Sequence, residues 1–140
     1  MLPENEIQVR VRYQECDPMG LLHHATYLVF FEMGRTELLR AGGRSYRRVE
    51  EEGLHIVVAK IDCRYYRPAR YDDLLKVHTR LTRMTGAKME HEYRVLRDGE
   101  LLAVGHATLA VVDRSGRVQR IPHWMRAPPQ GADGPENGPA

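Results

Sequence analysis

The chain has 140 residues, a hydrophobic fraction of 42% and a charged fraction of 29%, which predict one soluble globular domain. Its formal net charge of +2 is too close to balance to favour nucleic acid or an acidic membrane as a partner. No segment approaches the roughly 18 apolar residues of a membrane helix, and the first residues lack the order of a signal peptide. We therefore expect a cytoplasmic protein.

The N-terminal third predicts a strand, a turn and a long helix. Apolar and polar residues alternate over 7–13, with Tyr13 on the apolar face, which is typical of a half-buried strand. The segment 17–20, Asp-Pro-Met-Gly, has the residue preferences of a type I turn. From about His24 to Ala41 the apolar residues recur at helical intervals and on more than one side. That pattern predicts a helix largely enclosed by other structure.

Charged residues on this helix predict ion pairs on its less buried side, Glu32 with Arg35 and Glu37 with Arg40. Gly42 and Gly43 should end the helix. A short second helix, capped by Ser45, should follow and stop at Gly53.

The rest of the chain predicts four long strands, at 55–66, 74–82, 88–97 and 101–112. Asp98-Gly99 is a strong hairpin signal, and hairpin links between successive strands would make all four antiparallel. On the first of them one face should carry Val57, Ala59, Ile61, Cys63 and Tyr65. A sheet that curls around one long helix is an α+β fold. Residues 127–140 are rich in proline and glycine and should form a disordered tail.

The segment from Tyr13 to Tyr27 is the best candidate for chemistry. Asp17 lies where a strand gives way to the long helix, close to the unpaired amides of the first helical turn. Those amides could stabilise an oxyanion on a carbonyl oxygen, while the carboxylate could activate water or attack the carbonyl itself. The blander interpretation is a turn aspartate that only accepts bonds from nearby amides.

Two motifs in the chain resemble those of a known family. Tyr13-x-Glu15-Cys16-Asp17-x-x-Gly20 followed by His24-Ala25-x-Tyr27 is similar to the signature of the 4-hydroxybenzoyl-CoA thioesterase-like hotdog proteins, especially the acyl-CoA thioesterases associated with the Tol-Pal system. The second motif lies at 57–73, and looser similarity at 35–39 keeps the family's spacing. The resemblance implies a hotdog domain over residues 1–126 that hydrolyses acyl-CoA to a carboxylic acid and coenzyme A.

The resemblance also implies roles for single residues. Asp17 would be the catalytic carboxylate, and Gly20 would permit a tight approach to the helix. The backbone N–H of His24 would polarise the thioester carbonyl, with its side chain as an assistant, and Tyr27 would pack near the site. Family sites form between subunits, so a homodimer or homotetramer is expected.

Coenzyme A carries phosphates, and Lys60, Arg83 and Lys88 are the candidate basic residues for it. Each could equally be an ordinary solvated charge. Coenzyme A belongs to the substrate, and no separate cofactor is expected.

Several other interpretations compete with this one. The pair His23-His24 could suggest a metal, but adjacent helix residues point about 100° apart and no carboxylate has ligand spacing, so no metal is expected. Cys16 could act as a nucleophile, and Glu32 or Glu37 could replace Asp17 as a base. The alternative function is a hotdog protein that binds acyl-CoA or acyl carrier protein without turnover, and a hotdog dehydratase or hydratase is a third possibility.

Overall fold

The computed structural model describes residues 3–126, which form a six-stranded sheet with helices packed on it. The strands are β1 (Glu4–Arg10), β2 (Leu54–Tyr65), β3 (Leu74–Met84), β4 (Met89–Arg97), β5 (Glu100–Asp113) and β6 (Val118–Gln119). The helices are α1 (Thr26–Ala41), α2 (Tyr46–Glu51) and α3 (His123–Arg126), and a 3-10 turn spans Tyr13–Glu15. The predicted disordered tail at 127–140 lies outside the described residues. Within 3–126, no helix is long and apolar enough to cross a membrane.

The sheet is antiparallel, and hairpins join β3 to β4 and β4 to β5 as expected, but the expected hairpin from β2 to β3 was wrong. The order is β1-β3-β4-β5-β2, with β6 paired to β5, so β2 lies at the far edge beside β5. The link at 66–73 is therefore a crossover from one side of the sheet to the other. The hairpin prediction is confirmed at Asp98-Gly99, where both residues have positive φ, as a two-residue type I′ turn requires.

Helix α1 packs across the inner face of the sheet. Two glycines, one on the helix and one on the sheet, allow close contact between them. The space that a Cβ on Gly105 would occupy is filled by the ring of Phe31. On α1 itself, a Cβ on Gly34 would overlap the side chain of Thr79 in β3. Tyr93 in β4 stacks on Phe31, with 4.5 Å between ring centroids. These contacts fix how α1 lies on the sheet, and therefore where its N-terminus points.

The enclosure of α1 is incomplete in the single chain. One side of the helix is buried, as its apolar spacing predicts, but Ala41, Val29 and Met33 are exposed, the last two at 51% and 41%. The prediction for Arg35 was also wrong. Its side chain is buried, and it donates to the Tyr93 hydroxyl at 3.3 Å and forms no ion pair with Glu32. The Glu37–Arg40 ion pair is confirmed.

Strand β2 changes face at a bulge, which the alternation in the sequence does not show. Val58 pairs with Leu109 and Lys60 with Thr108, so Ala59 is an extra residue in the strand. Because directly paired residues share a face, Val58 lies on the inner face with Leu109, and Val57 on the outer one. The expected single face from Val57 to Tyr65 was therefore wrong.

Candidate active site

The two sequence motifs meet at one end of the sheet. The crossover at 66–73 runs past the loop at 16–25, and the amide of Leu22 donates to the carbonyl of Ala69 at 2.8 Å. Leu21 forms an isolated antiparallel bridge with Arg70. The crossover is held to the first segment a second time by Val11, whose carbonyl accepts from the amide of Asp72 at 2.9 Å. Two segments about 50 residues apart in the chain thus build one site.

The first strand ends earlier than predicted, and a 3-10 turn at Tyr13–Glu15 leads into the loop at 16–25. Strand β1 stops at Arg10, and Tyr13 begins the 3-10 turn with its side chain 80% exposed. The turn at 17–20 is confirmed, since the amide of Gly20 donates to the carbonyl of Asp17 at 2.9 Å. Gly20 has φ +81°, and beyond its two chain neighbours no other atom of residues 3–126 lies within 4 Å of where its Cβ would be. Backbone conformation, rather than close approach to the helix, is therefore what requires glycine in this chain.

The Asp17 carboxylate is anchored through one oxygen. Its Oδ1 accepts hydrogen bonds from the amide of Met19 at 2.8 Å and from the amide of Leu21 at 3.1 Å. This is the Asx-turn arrangement expected of a structural turn aspartate. Within residues 3–126, however, Oδ2 accepts no hydrogen bond, and the side chain is half-buried beside a depression. The carboxylate thus has a fixed orientation and a second oxygen that can reach a bound molecule.

A free backbone donor lies at the start of α1. The amides of Leu22, His23 and Thr26 donate to backbone carbonyls, and the amide of Ala25 donates to His23 Nδ1 at 3.1 Å. In the part of the chain that the structure describes, the amide of His24 has no acceptor. A donor of this kind at a helix N-terminus suits a developing negative charge, because the helix dipole adds to the hydrogen bond.

Two tyrosines form the wall behind this donor. Tyr27 is 2% exposed, and its ring meets that of Tyr65 edge-to-face with centroids 5.0 Å apart. The Tyr65 hydroxyl donates to the carbonyl of His24 at 2.7 Å. Burial, followed by the neighbouring Cys63, raises the pKa of Tyr65 to about 12, so its hydroxyl stays protonated as a donor. Burial likewise raises the pKa of Tyr27.

The depression at this site has a volume of about 400 Å³ and brings several predicted residues together. Asp17, His24 and Tyr27 all line it, while Gly20 belongs to the adjoining turn. The other lining residues are Leu21, Leu22, Tyr65, Tyr66, Arg67 and Pro68. The residues at 65–68 belong to the second sequence motif, but the sequence alone does not assign them to the site. The signal that could have identified them is the motif itself, because two motifs of one family signature are expected to meet at one site.

The three candidate basic residues lie apart from the depression in the single chain. Lys60 pairs with Thr108 and so lies on the outer face of the sheet. Arg83 and Lys88 lie beside the β3–β4 turn, where Met84 pairs with Met89. Tyr65, at the depression, pairs with Ala103 of β5, and Ala103 pairs with Val95 of β4. Along β4, Met89 lies roughly 20 Å from Val95, so the β3–β4 turn is distant from the depression. Among residues 3–126, Arg67 is the one arginine or lysine that lines the depression.

The rival interpretations of this region gain no support from the geometry. Burial raises the pKa of the Cys16 thiol, the opposite of what a nucleophilic thiolate needs. The rings of His23 and His24 stack with centroids 4.2 Å apart. Among residues 3–126, no group of three His, Cys, Asp or Glu side chains could hold a metal ion. Glu32 and Glu37 lie on α1 away from the residues that line the depression.

Comparisons with known proteins agree with this geometry. The sequence profile of the Thioesterase-like superfamily matches residues 11–128. The chain is 36% identical over 106 residues to the acyl-CoA thioester hydrolase YbgC of Escherichia coli O6:H1, covering 75% of this chain and 79% of that protein. It is 38% identical to the acyl-CoA thioesterase YbgC of Haemophilus influenzae, with 75% and 78% covered.

A solved structure shows the same architecture. The probable thioesterase from Bartonella henselae superposes with a TM-score of 0.81 at 33% identity, covering 85% of this chain and 99% of that one. The α+β hotdog fold expected from the sequence is therefore confirmed. This chain belongs to the thioesterase-like superfamily.

Proposed function

We propose that the protein hydrolyses acyl-CoA thioesters, with Asp17 as the catalytic carboxylate and the His24 amide as the oxyanion donor. The observation that carries the proposal is that one depression is lined by an anchored carboxylate and by a residue at the helix N-terminus whose amide has no acceptor among residues 3–126. The curated relatives named above act on the same substrate class. The anchored carboxylate alone would fit a structural turn. The His24 amide adds a donor for the carbonyl oxygen of a substrate on which the carboxylate could act.

The reaction would proceed by attack on the thioester carbonyl. The carbonyl oxygen accepts from the His24 amide, and its negative charge grows as the carbon becomes tetrahedral. In the general-base route, Asp17 takes a proton from a water whose oxygen bonds to the carbonyl carbon. The C–S bond then breaks, coenzyme A leaves as a thiolate that takes up a proton, and the acid is released.

In the nucleophilic route, Asp17 itself bonds to the carbonyl carbon and expels coenzyme A, and water then cleaves the mixed anhydride. Both routes use the oxygen that the turn leaves free. In a single turnover in heavy-oxygen water, label in the tryptic peptide that contains Asp17 identifies the nucleophilic route with cleavage of the anhydride at the Asp17 carbonyl. Label in the product acid alone fits the general-base route and also cleavage of the anhydride at the acyl carbonyl. Mass spectrometry of rapidly quenched protein separates these two, because only the nucleophilic route adds the mass of the acyl group to Asp17.

The complete site is proposed to form between two copies of the chain. Strand β2 has no neighbour on one side among residues 3–126, and Val29 and Met33 on α1 are exposed. An unpaired 12-residue edge strand is an open template for another strand. Antiparallel pairing of β2 with its copy would bring the β3–β4 turn of one chain, with Arg83 and Lys88, toward the depression of the other. A homodimer or homotetramer would then supply the basic residues that a single chain keeps distant.

The test is a panel of acyl-CoA substrates of different length and aromatic character, with released thiol followed by a thiol-reactive dye. We expect turnover of at least one substrate class. Thermal stabilisation by acyl-CoA without thiol release across the whole panel would instead establish the non-catalytic binding alternative. Loss of enoyl-CoA absorbance without thiol release would indicate a hydratase. The cytoplasmic location and the absence of a separate cofactor stay predictions.

A further inference from the structure

A second pocket lies beside the C-terminal half of α1, away from the Asp17 depression. Its apolar lining comes from α1, β3, β4, β5 and α3, and the three basic residues Arg35, Arg44 and His91 also face it. About 50 Å³ of space is open inside it, and a water-sized group needs roughly 10–15 Å³ on this measure. The pocket is thus suited to a molecule of a few heavy atoms.

Arg35 brings a positive charge to this pocket, and among residues 3–126 no carboxylate lies within ion-pair distance of it. Its side chain is 9% exposed, it donates to the Tyr93 hydroxyl at 3.3 Å, and its Nε is buried without an acceptor within residues 3–126. Burial opposes the charge, yet Tyr93, Tyr46 and Glu32 together hold the pKa of Arg35 above its ordinary value. The guanidinium is therefore charged, buried and short of acceptors, which is costly unless an anion completes its bonding.

Two other side chains at this pocket, those of His91 and Arg44, also carry buried nitrogen atoms. His91 is 7% exposed, and its Nδ1 is buried without a partner in the described part of the chain. The Nη2 atom of Arg44 is also buried and unpartnered there. Among residues 3–126, no aspartate or glutamate lines the pocket. Three residues that line one pocket therefore carry buried nitrogen atoms without partners, and no carboxylate within residues 3–126 lines that pocket with them.

We propose that this pocket binds a small organic carboxylate. The two oxygens of a carboxylate match the fork of the Arg35 guanidinium and leave lone pairs for Arg44 and His91. The other lining residues available to its hydrocarbon part are mostly apolar, among them Leu38, Leu81, Met89 and Leu109. This apolar surface favours an organic acid over chloride or phosphate, because an inorganic ion would lose its hydration there without covering the apolar side chains. The inference does not depend on the proposed hydrolysis.

The test is calorimetric titration of the full-length protein with sodium butyrate, against sodium chloride at equal ionic strength. We expect butyrate to bind and chloride to give no comparable signal. Arg35→Gln and Arg44→Gln should each weaken butyrate binding about tenfold or more, since each removes a charge-assisted hydrogen bond. The matched control is Arg40→Gln, also on α1 but exposed and paired with Glu37, and it should bind as the wild type does.

Two further comparisons locate the bound molecule. Asp17→Asn should leave butyrate binding intact, because the Asp17 depression is a separate site. If Arg35→Gln does not fold, the partly exposed Arg44 gives the variant that decides. The proposal is overturned if wild-type protein binds no butyrate or if chloride binds equally well. It is also overturned if Asp17→Asn, rather than the arginine variants, abolishes binding.

Discussion

The hydroxyl of Tyr65, at the end of β2, donates to the carbonyl of His24 at the start of α1, across 2.7 Å. The amide of the same residue, His24, has no acceptor within residues 3–126. The sheet edge thereby fixes the orientation of the proposed oxyanion donor. Tyr65 is a positioning residue in this account, since it acts through His24.

Tyr65→Phe should lower kcat while leaving KM nearly unchanged. Loss of one net hydrogen bond, worth about 1 kcal/mol, corresponds to roughly a fivefold change in rate if the donor is misplaced in the transition state. Steady-state kinetics on the best acyl-CoA substrate measures both constants. Tyr71→Phe is the matched control, because Tyr71 is exposed, does not line the depression, and its hydroxyl forms no hydrogen bond within residues 3–126. Equal kcat values for the wild type and Tyr65→Phe would refute the positioning role.

The buried imidazole of His91 should make folding stability depend on pH. Burial and then the charge of Arg35 lower the pKa of His91 from 6.5 to about 4 in the folded protein. Between these values the unfolded chain binds more protons than the folded one, so the free energy of unfolding should fall as pH decreases from 6.5 to 4. The full effect is on the order of 3 kcal/mol. Urea denaturation at several pH values measures it.

The His91→Gln variant isolates this contribution from that of the other titrating groups. Its free energy of unfolding should change less than that of the wild type between pH 6.5 and 4. Parallel curves for the two proteins over that window would show that His91 does not carry the dependence.

Gly105 should tolerate no side chain. A Cβ there would occupy the space of the Phe31 ring and lie 3.0 Å from the carbonyl oxygen of Asp62. Gly105→Ala should therefore lower the free energy of unfolding by about 1–3 kcal/mol, because α1 or β2 must shift. Thermal or chemical denaturation measures the loss. Thr108→Ala, on the outer face of the same strand, should stay within about 0.5 kcal/mol of the wild type.

The exposed apolar side of α1 should be covered in the assembled protein. Val29→Lys combined with Met33→Lys should reduce the oligomer to monomer and lower activity, because two charges would enter the proposed interface. Sedimentation velocity gives the mass. Glu32→Lys changes charge at an exposed position on the same helix without removing apolar surface, and it should disturb assembly less. A wild-type protein that is monomeric at assay concentration and fully active would contradict the two-chain site.

Much of the fold follows from local pattern. The helical spacing of Tyr27, Phe30, Phe31 and Leu38 correctly gives the buried side of α1. The alternation in β3 and the Asp98-Gly99 turn also correspond to the structure, because pleat and turn geometry depend on neighbouring residues. Ser45 caps α2 as expected, accepting a hydrogen bond from the amide of Arg48.

The sequence predictions are wrong where contacts between distant parts of the chain determine the structure. Nothing local shows that Ala59 is an extra residue in β2, since the bulge depends on pairing with β5. The burial of Arg35 depends on Tyr93, 58 residues away. The position of β2 at the far edge likewise depends on the crossover at 66–73. Tyr65 belongs to the second motif, but its place at the site could not be predicted from the sequence, because it depends on where the crossover runs.

The central claim is that Asp17 carries the chemistry through the oxygen that the turn leaves free. Asn at this position keeps an Oδ1 acceptor for the amides of Met19 and Leu21, so the loop should retain its shape. Asp72→Asn, a matched change in the neighbouring crossover, controls for the loss of a carboxylate.

The deciding measurement is kcat of Asp17→Asn on the best acyl-CoA substrate, with circular dichroism to verify folding. We expect a loss of about 10²- to 10⁴-fold, with Asp72→Asn close to the wild type. A folded Asp17→Asn protein that keeps full kcat would show that Asp17 is not the catalytic carboxylate.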